Sequence, residues 1–237
     1  MSNTAKVLAW VENNTHPDGG MRCWTNGPIY PEITGYLIPT LLAHGKDSLA
    51  HQFADWLEAH QNQDGSFYGL HGGKAVFDTS ACYEGLRAAG RHLAASRARI
   101  WIESQPKGNE IYLTRAYALL GKLYEPDIPP NPRAHYCAYM LEGLQMLGQD
   151  VTGAVELLGN QRHTSGLMPF ELGKFGGDCI PATAQMAMLY KRCGLDNSVF
   201  IEALDRVMLD DGGLTHNSSD KNQAISWAAK FYLDAML

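Results

Sequence analysis

Gln61-Asn62-Gln63-Asp64-Gly65-Ser66-Phe67 lies between an amphipathic run (His51 to His60) and a second apolar run that opens on Val76-Phe77-Asp78-Thr79-Ser80. A glycine-containing turn between two helix-period runs reads as a helical hairpin. The same turn returns as Asp18-Gly19-Gly20, Lys107-Gly108-Asn109, Ser165-Gly166-Leu167 and Asp211-Gly212-Gly213. The first glycines of the five turns stand 46, 43, 58 and 46 residues apart. A period of that length marks an array of hairpins, each too small to bury its apolar face alone.

Two kinds of helix alternate along the array. Residues 4–14, 48–60, 94–103, 151–161 and 198–208 carry charges such as Glu58, Arg97 and Glu202 among their apolar positions, so one face is wet. Residues 32–43, 78–89, 112–123, 135–147, 182–193 and 224–236 are apolar nearly all round, the pattern of a helix buried on every side. An outer ring wrapped on an inner ring satisfies both patterns. The expected fold is all-α, an (α/α) toroid of about six inner and five outer helices, with residues 1–237 as one domain. No convincing alternating run predicts a strand. The stretch 124–133 holds Pro126, Pro129, Pro130 and Pro132. Four prolines exclude a helix there, so an extended crossing is expected in place of an outer helix.

Composition narrows the function classes. A net charge of −6, without a lysine or arginine cluster, argues against nucleic acid as a partner. No apolar run reaches the roughly 20 residues of a membrane span. The N-terminal residues lack the apolar core of a signal peptide. The five cysteines are an odd number, widely spaced and without a CxxC pair, which reads as free thiols in a reducing cytoplasm.

The string 57–67 followed by Val76-Phe77-Asp78-Thr79 resembles the repeat shared by triterpene cyclases and protein prenyltransferase β subunits. The strings 30–42 and 226–235 resemble a group of poorly characterised bacterial toroid proteins that accompany surface-polysaccharide synthesis. The resemblance implies an α/α toroid and a glycan context. The chain departs from the cyclases at their acid motifs. Met208-Leu209-Asp210-Asp211 lacks the first aspartate of Asp-x-Asp-Asp. Asp178-Cys179-Ile180-Pro181 begins like Asp-Cys-Thr-Ala-Glu and then diverges. The prenyltransferase zinc set has no match in order or spacing.

In a hairpin array the glycine turns feed the N-termini of the inner helices, whose unpaired N–H groups and positive dipole ends face a common space. Polar residues in the first two turns of those helices are therefore the candidates for chemistry. His135 is the leading acid/base, because an unperturbed imidazole titrates near working pH. Tyr139 stands one turn on as its counterpart, and Asp178 follows Gly176-Gly177 as a second acid. Glu32 and Asp78 open two further inner helices, where each is read either as a cap or as a cavity carboxylate. Substrate contacts are assigned to Tyr30, Tyr36, His71, Arg115, Trp227 and Lys221. An arginine in a nearly apolar helix needs a partner, and Glu32, Asp78 or a substrate anion are the readings for Arg115. No metal and no cofactor are called for; zinc on His135, Asp178 and Cys179, or magnesium, are minor alternatives.

The cavity set is polar and ionisable, which suits a sugar or polysaccharide precursor better than a hydrocarbon. The expected function is proton abstraction or transfer on that glycan (epimerase or lyase type) or its hydrolysis. An isoprenoid cyclase or prenyltransferase, and a non-catalytic glycan- or partner-binding module, are the alternatives.

Overall fold

A computed structural model describes residues 1–174 and 176–237. Among these, eleven α-helices and one two-strand ladder form the fold, the all-α class expected of a toroid. The helices are α1 (Asn3–Asn14), α2 (Pro31–Ala43), α3 (Asp47–His60), α4 (Val76–Ala88), α5 (His92–Ser104), α6 (Leu113–Ala118), α7 (Ala134–Met146), α8 (Thr152–Gly159), α9 (Ile180–Arg192), α10 (Ser198–Val207) and α11 (Ser226–Ala235). Strands β1 (Met168–Pro169) and β2 (Asp178–Cys179) pair antiparallel, with Met168 opposite Cys179. The sequence pattern did not predict this ladder, since two residues are too few to show alternation. The chain forms two compact units, one of Met1–Trp10 with Asn109–Met236 and one of Val11–Gly108 with Leu237.

The glycine turns share one geometry. In the Val11–Gly108 unit, the Gly65 N–H bonds the Asn62 carbonyl and the Asn62 N–H bonds the Ser66 carbonyl, with Gly65 at φ 93°. An L side chain rarely adopts that conformation, so glycine is required. The same pair of bonds recurs at His16–Gly20, His163–Leu167 and Leu209–Gly213, each with its glycine in the left-handed region. The expected fifth turn at Gly108 is not of this kind, because Gly108 does not adopt a positive φ.

Three of these turns are then fastened to the helix that follows by a threonine hydroxyl. The Phe67 N–H donates to the Thr79 hydroxyl at 3.1 Å, the Met21 N–H to Thr34 at 2.9 Å and the Met168 N–H to Thr183 at 2.9 Å. Thr34 and Thr183 pass their own protons to the carbonyls four residues back. These threonines are fully buried. They fix the height of each turn against the first turns of α2, α4 and α9, where the candidate polar residues stand.

Helices α2 and α4 pack backbone to backbone. A Cβ on Gly35 would lie 2.6 Å from the Ala81 carbonyl oxygen, and one on Gly85 would lie 2.4 Å from the Gly35 oxygen. Any side chain at either position forces the helices apart, so the two glycines set the spacing of their N-termini. In the other unit Gly143 of α7 lies against the α6 backbone in the same way: a Cβ on it would stand 2.7 Å from the Arg115 nitrogen.

Helix α6 is shorter than the 112–123 run expected. Gly121, at φ 72°, stops it: its N–H returns to Ala118 and the Lys122 N–H reaches back to the Tyr117 carbonyl, a glycine C-cap. The proline crossing is non-helical, as expected, with residues 122–129 free of regular structure.

Candidate functional site

The candidate residues divide between the two units, and their surroundings differ in kind. In the Val11–Gly108 unit, Tyr30, Glu32 and Asp78 gather at the first turns of α2 and α4. Pro31 and Glu32 take the first two positions of α2; Asp78 is third in α4. Neither helix has a side-chain cap from its preceding residue, Tyr30 or Ala75, so the acids occupy the positive ends of both helices. Tyr30, Glu32 and Asp78 are all buried, at 6%, 6% and 7% exposure.

The Tyr30 hydroxyl donates to Asp78 Oδ1 and itself receives the Leu70 N–H. Burial pushes the Asp78 carboxyl above the ordinary carboxylate range, while the Tyr30 hydrogen bond, its own N–H and the charge of His71 pull the other way without cancelling it. The charges of Glu32 and Asp78 are felt together by three neighbours. Cys23 is pushed up to about 12, first by burial and then by Glu32, and the Tyr30 phenol and the Cys82 thiol are raised by burial and by both acids. Two carboxylates thus share one buried neighbourhood in which Asp78 favours its protonated form.

A loop closes over Asp78. The Gly69 N–H bonds the Gly73 carbonyl, Tyr68 bridges to Lys74, and Lys74 is tied to Asp64 at 2.5 Å. Gly69 lies against the carboxylate: a Cβ there would stand 3.2 Å from Asp78 Oδ1. His71, expected from the sequence as a substrate contact, is exposed at the loop tip and acts on Asp78 electrostatically. Tyr36 is fully buried and packs edge-on to Phe77 at 6.0 Å, a core contact.

The Asn109–Met236 segment places its candidates otherwise. His135, in the first turn of α7, is packed against Tyr139 at 4.5 Å and Phe231 at 5.8 Å. Desolvation holds its proton affinity down to about 3; Gln185 opposes the shift and the charges of His216 and Arg133 add to it. His135 is therefore neutral at working pH, contrary to the near-neutral titration its residue type led one to expect. Tyr139 is buried beside it.

Asp178 sits in β2 and is fully engaged: the Ser218 N–H reaches Oδ1 at 2.7 Å and the Ser218 hydroxyl donates to Oδ2. These bonds tie β2 to the loop that carries Ser218. Cys179 is buried, and burial pushes its thiol up to about 11. Among the described residues, no three His, Cys, Asp or Glu side chains converge as metal ligands.

Arg115 has an acidic partner within its own unit. Its Nε pairs with Glu142 Oε2 at 2.9 Å, both side chains being buried, and Arg192 meets the other Glu142 oxygen at 3.3 Å. Lys230 and Asp234 extend the cluster with a 2.7 Å pair. Burial raises the Glu142 carboxyl, but Arg115, Lys230 and Arg192 outweigh it and hold it at about 2. Sequence reading missed Glu142, which lies two turns into α7 with nothing local to mark it. Trp227 is half-buried in the first turn of α11, and Lys221 is exposed in the loop before it.

No protein-family model and no curated protein matches the sequence. The fold is nevertheless found among solved structures. A protein described as a novel alpha-amylase from Clostridium perfringens is similar with a TM-score of 0.76, over 99% of this chain and 97% of that one, at 10% sequence identity. At that identity the likeness is one of fold. No helix among the described residues is long and apolar enough to cross a membrane.

Proposed function

We propose that the protein acts on a saccharide by hydrolysis of a glycosidic bond, with Asp78 as the acid and Glu32 as the base. The observation that carries this reading is the buried Tyr30–Glu32–Asp78 cluster, in which one carboxyl is raised by burial beside a second acid. Pairs of carboxyl groups whose environments differ are the working parts of glycoside hydrolysis. In the proposed step water adds to the anomeric carbon, the bond from that carbon to the leaving oxygen breaks, and Asp78 gives its proton to that oxygen. Glu32, at a helix N-terminus that favours the anion, takes the proton released by the water. Tyr30 orients Asp78, and the 69–73 loop covers it. The fold shared with a protein described as an alpha-amylase makes α-linked glucans the first substrates to try. His135, expected from sequence as the leading acid/base, and Asp178, expected as a second acid, are left out of this step because burial holds one neutral and the other is bonded by Ser218.

The test is release of reducing ends from a panel of α- and β-linked oligosaccharides by the wild-type chain, Asp78→Asn and Glu32→Gln, with thermal melting alongside. Each variant is expected to fold and to lose about 100-fold or more in turnover, the usual worth of a positioned acid or base. Wild-type turnover retained by a folded Asp78→Asn protein overturns the assignment.

A further inference from the structure

A second site lies on the unit that does not hold the acid pair. The proline crossing forms one wall of a cleft of about 650 Å³ that is also lined by Tyr112, Tyr136, Arg133, Asn131 and Glu171. The Tyr112 and Tyr136 rings meet edge to face at 4.8 Å and 62°, making a corner of two partly open aromatic faces. The Arg133 guanidinium lies 5.3 Å over the Tyr136 ring and 5.0 Å over Phe170, and donates to the Tyr136 hydroxyl at 3.1 Å. Arg133 is thereby held against Tyr136 by both contacts. The crossing is fixed as well: Asn109 donates to Asp127 at 3.0 Å and accepts from the Asp127 N–H at 3.3 Å, and prolines stiffen the chain between Asp127 and Arg133.

We propose that this cleft binds a neutral saccharide. A corner of tyrosine rings offers apolar faces to the C–H side of a pyranose. Asn131, Arg133 and the carboxylates Glu110, Asp127 and Glu171 surround that corner with planar groups suited to paired hydroxyls. Three carboxylates against one guanidinium, with Lys174 answering only Glu171 at 2.5 Å, disfavour a phosphorylated sugar or a uronate. The stiffened wall is ordered before the ligand arrives, which lowers the cost of binding. The inference is independent of the proposed hydrolysis, because none of the lining residues belongs to the acid pair.

Saturation-transfer NMR on the full chain tests it, with maltohexaose, cellohexaose and mannohexaose as neutral probes and hexagalacturonate as the acidic one. At least one neutral probe is expected to bind in the millimolar range or tighter. Tyr112→Ala and the surface variant Asn131→Ala should each weaken that binding, Tyr112→Ala by about tenfold. The proposal is overturned if no neutral probe binds, if hexagalacturonate binds as well as the neutral ones, or if folded Asn131→Ala and Tyr112→Ala both bind like wild type. A protein whose Asp78→Asn variant keeps full turnover but whose Tyr112→Ala variant loses binding separates failure of the hydrolytic assignment from failure of this one.

Discussion

Asp78 and Glu142 are both carboxylates buried in inner helices, and their surroundings drive them in opposite directions. Glu142 is met by Arg115 and Arg192 and feels Lys230, so its charge is retained. Asp78 meets a tyrosine hydroxyl and feels a single distant imidazole, so burial raises its carboxyl. The first arrangement holds helices together; the second keeps a proton available. Burial alone does not mark a functional acid. Burial without compensating cations is what makes Asp78 the candidate acid of the proposed hydrolysis.

The largest effect should come from breaking the compensated side. Glu142→Gln leaves Arg115 buried with its main anion gone, and chemical denaturation should register a loss of about 3–5 kcal/mol, the usual cost of stripping one partner from a buried pair. Asp78→Asn should change stability by no more than about 1 kcal/mol at neutral pH, since it removes a group that already resists ionisation. Equal losses in the two variants would dissolve the contrast.

The contrast was only half legible in the sequence. Hairpin period, the two helix classes and the proline crossing all follow from local spacing, and eleven helices stand close to where that spacing put them. Glu32, Asp78 and His71 could be named as candidates because their positions beside turns are local facts. The partner of Arg115 was not, because Glu142 is joined to it only through the close approach of α6 and α7 at Gly143. His135 misled for a related reason: its residue type predicts a titration that desolvation beside Tyr139 and Phe231 lowers. Thr34, Thr79 and Thr183 carried a signal that went unread. Each lies 12 to 15 residues beyond the backbone N–H that it accepts, a spacing that repeats with the turns.

Acid titration sharpens the comparison. The folded His135 accepts its proton near 3, against an ordinary value of 6.5, so between those values the unfolded chain binds the proton first. Stability contributed by neutral His135 is present above 6.5 and is lost as pH falls toward 3, with a slope of up to about 1.4 kcal/mol per pH unit. Asp78 has the opposite sign: its folded carboxyl is raised above 3.8, so its contribution is present below that value and is lost as pH rises through the folded one. Equilibrium unfolding of His135→Phe across this range should flatten the acid limb, and Asp78→Asn should steepen the net rise of stability with pH there. A His135→Phe limb as steep as the wild type's would place the acid sensitivity elsewhere.

The smallest effect belongs to the loop tip. His71 is exposed and reaches Asp78 only through its charge, which draws the Asp78 carboxyl down against the push of burial. Without that charge the carboxyl keeps its proton to higher pH. An acid catalyst that holds its proton longer extends the alkaline side of the rate profile, so His71→Ala should move that limb upward and leave the melting temperature close to wild type. A limb that stays in place would show that the lid covers Asp78 without tuning it. A limb that moves downward would mean that the titrating group is not Asp78, because the removal of a nearby positive charge can only make that carboxyl harder to ionise.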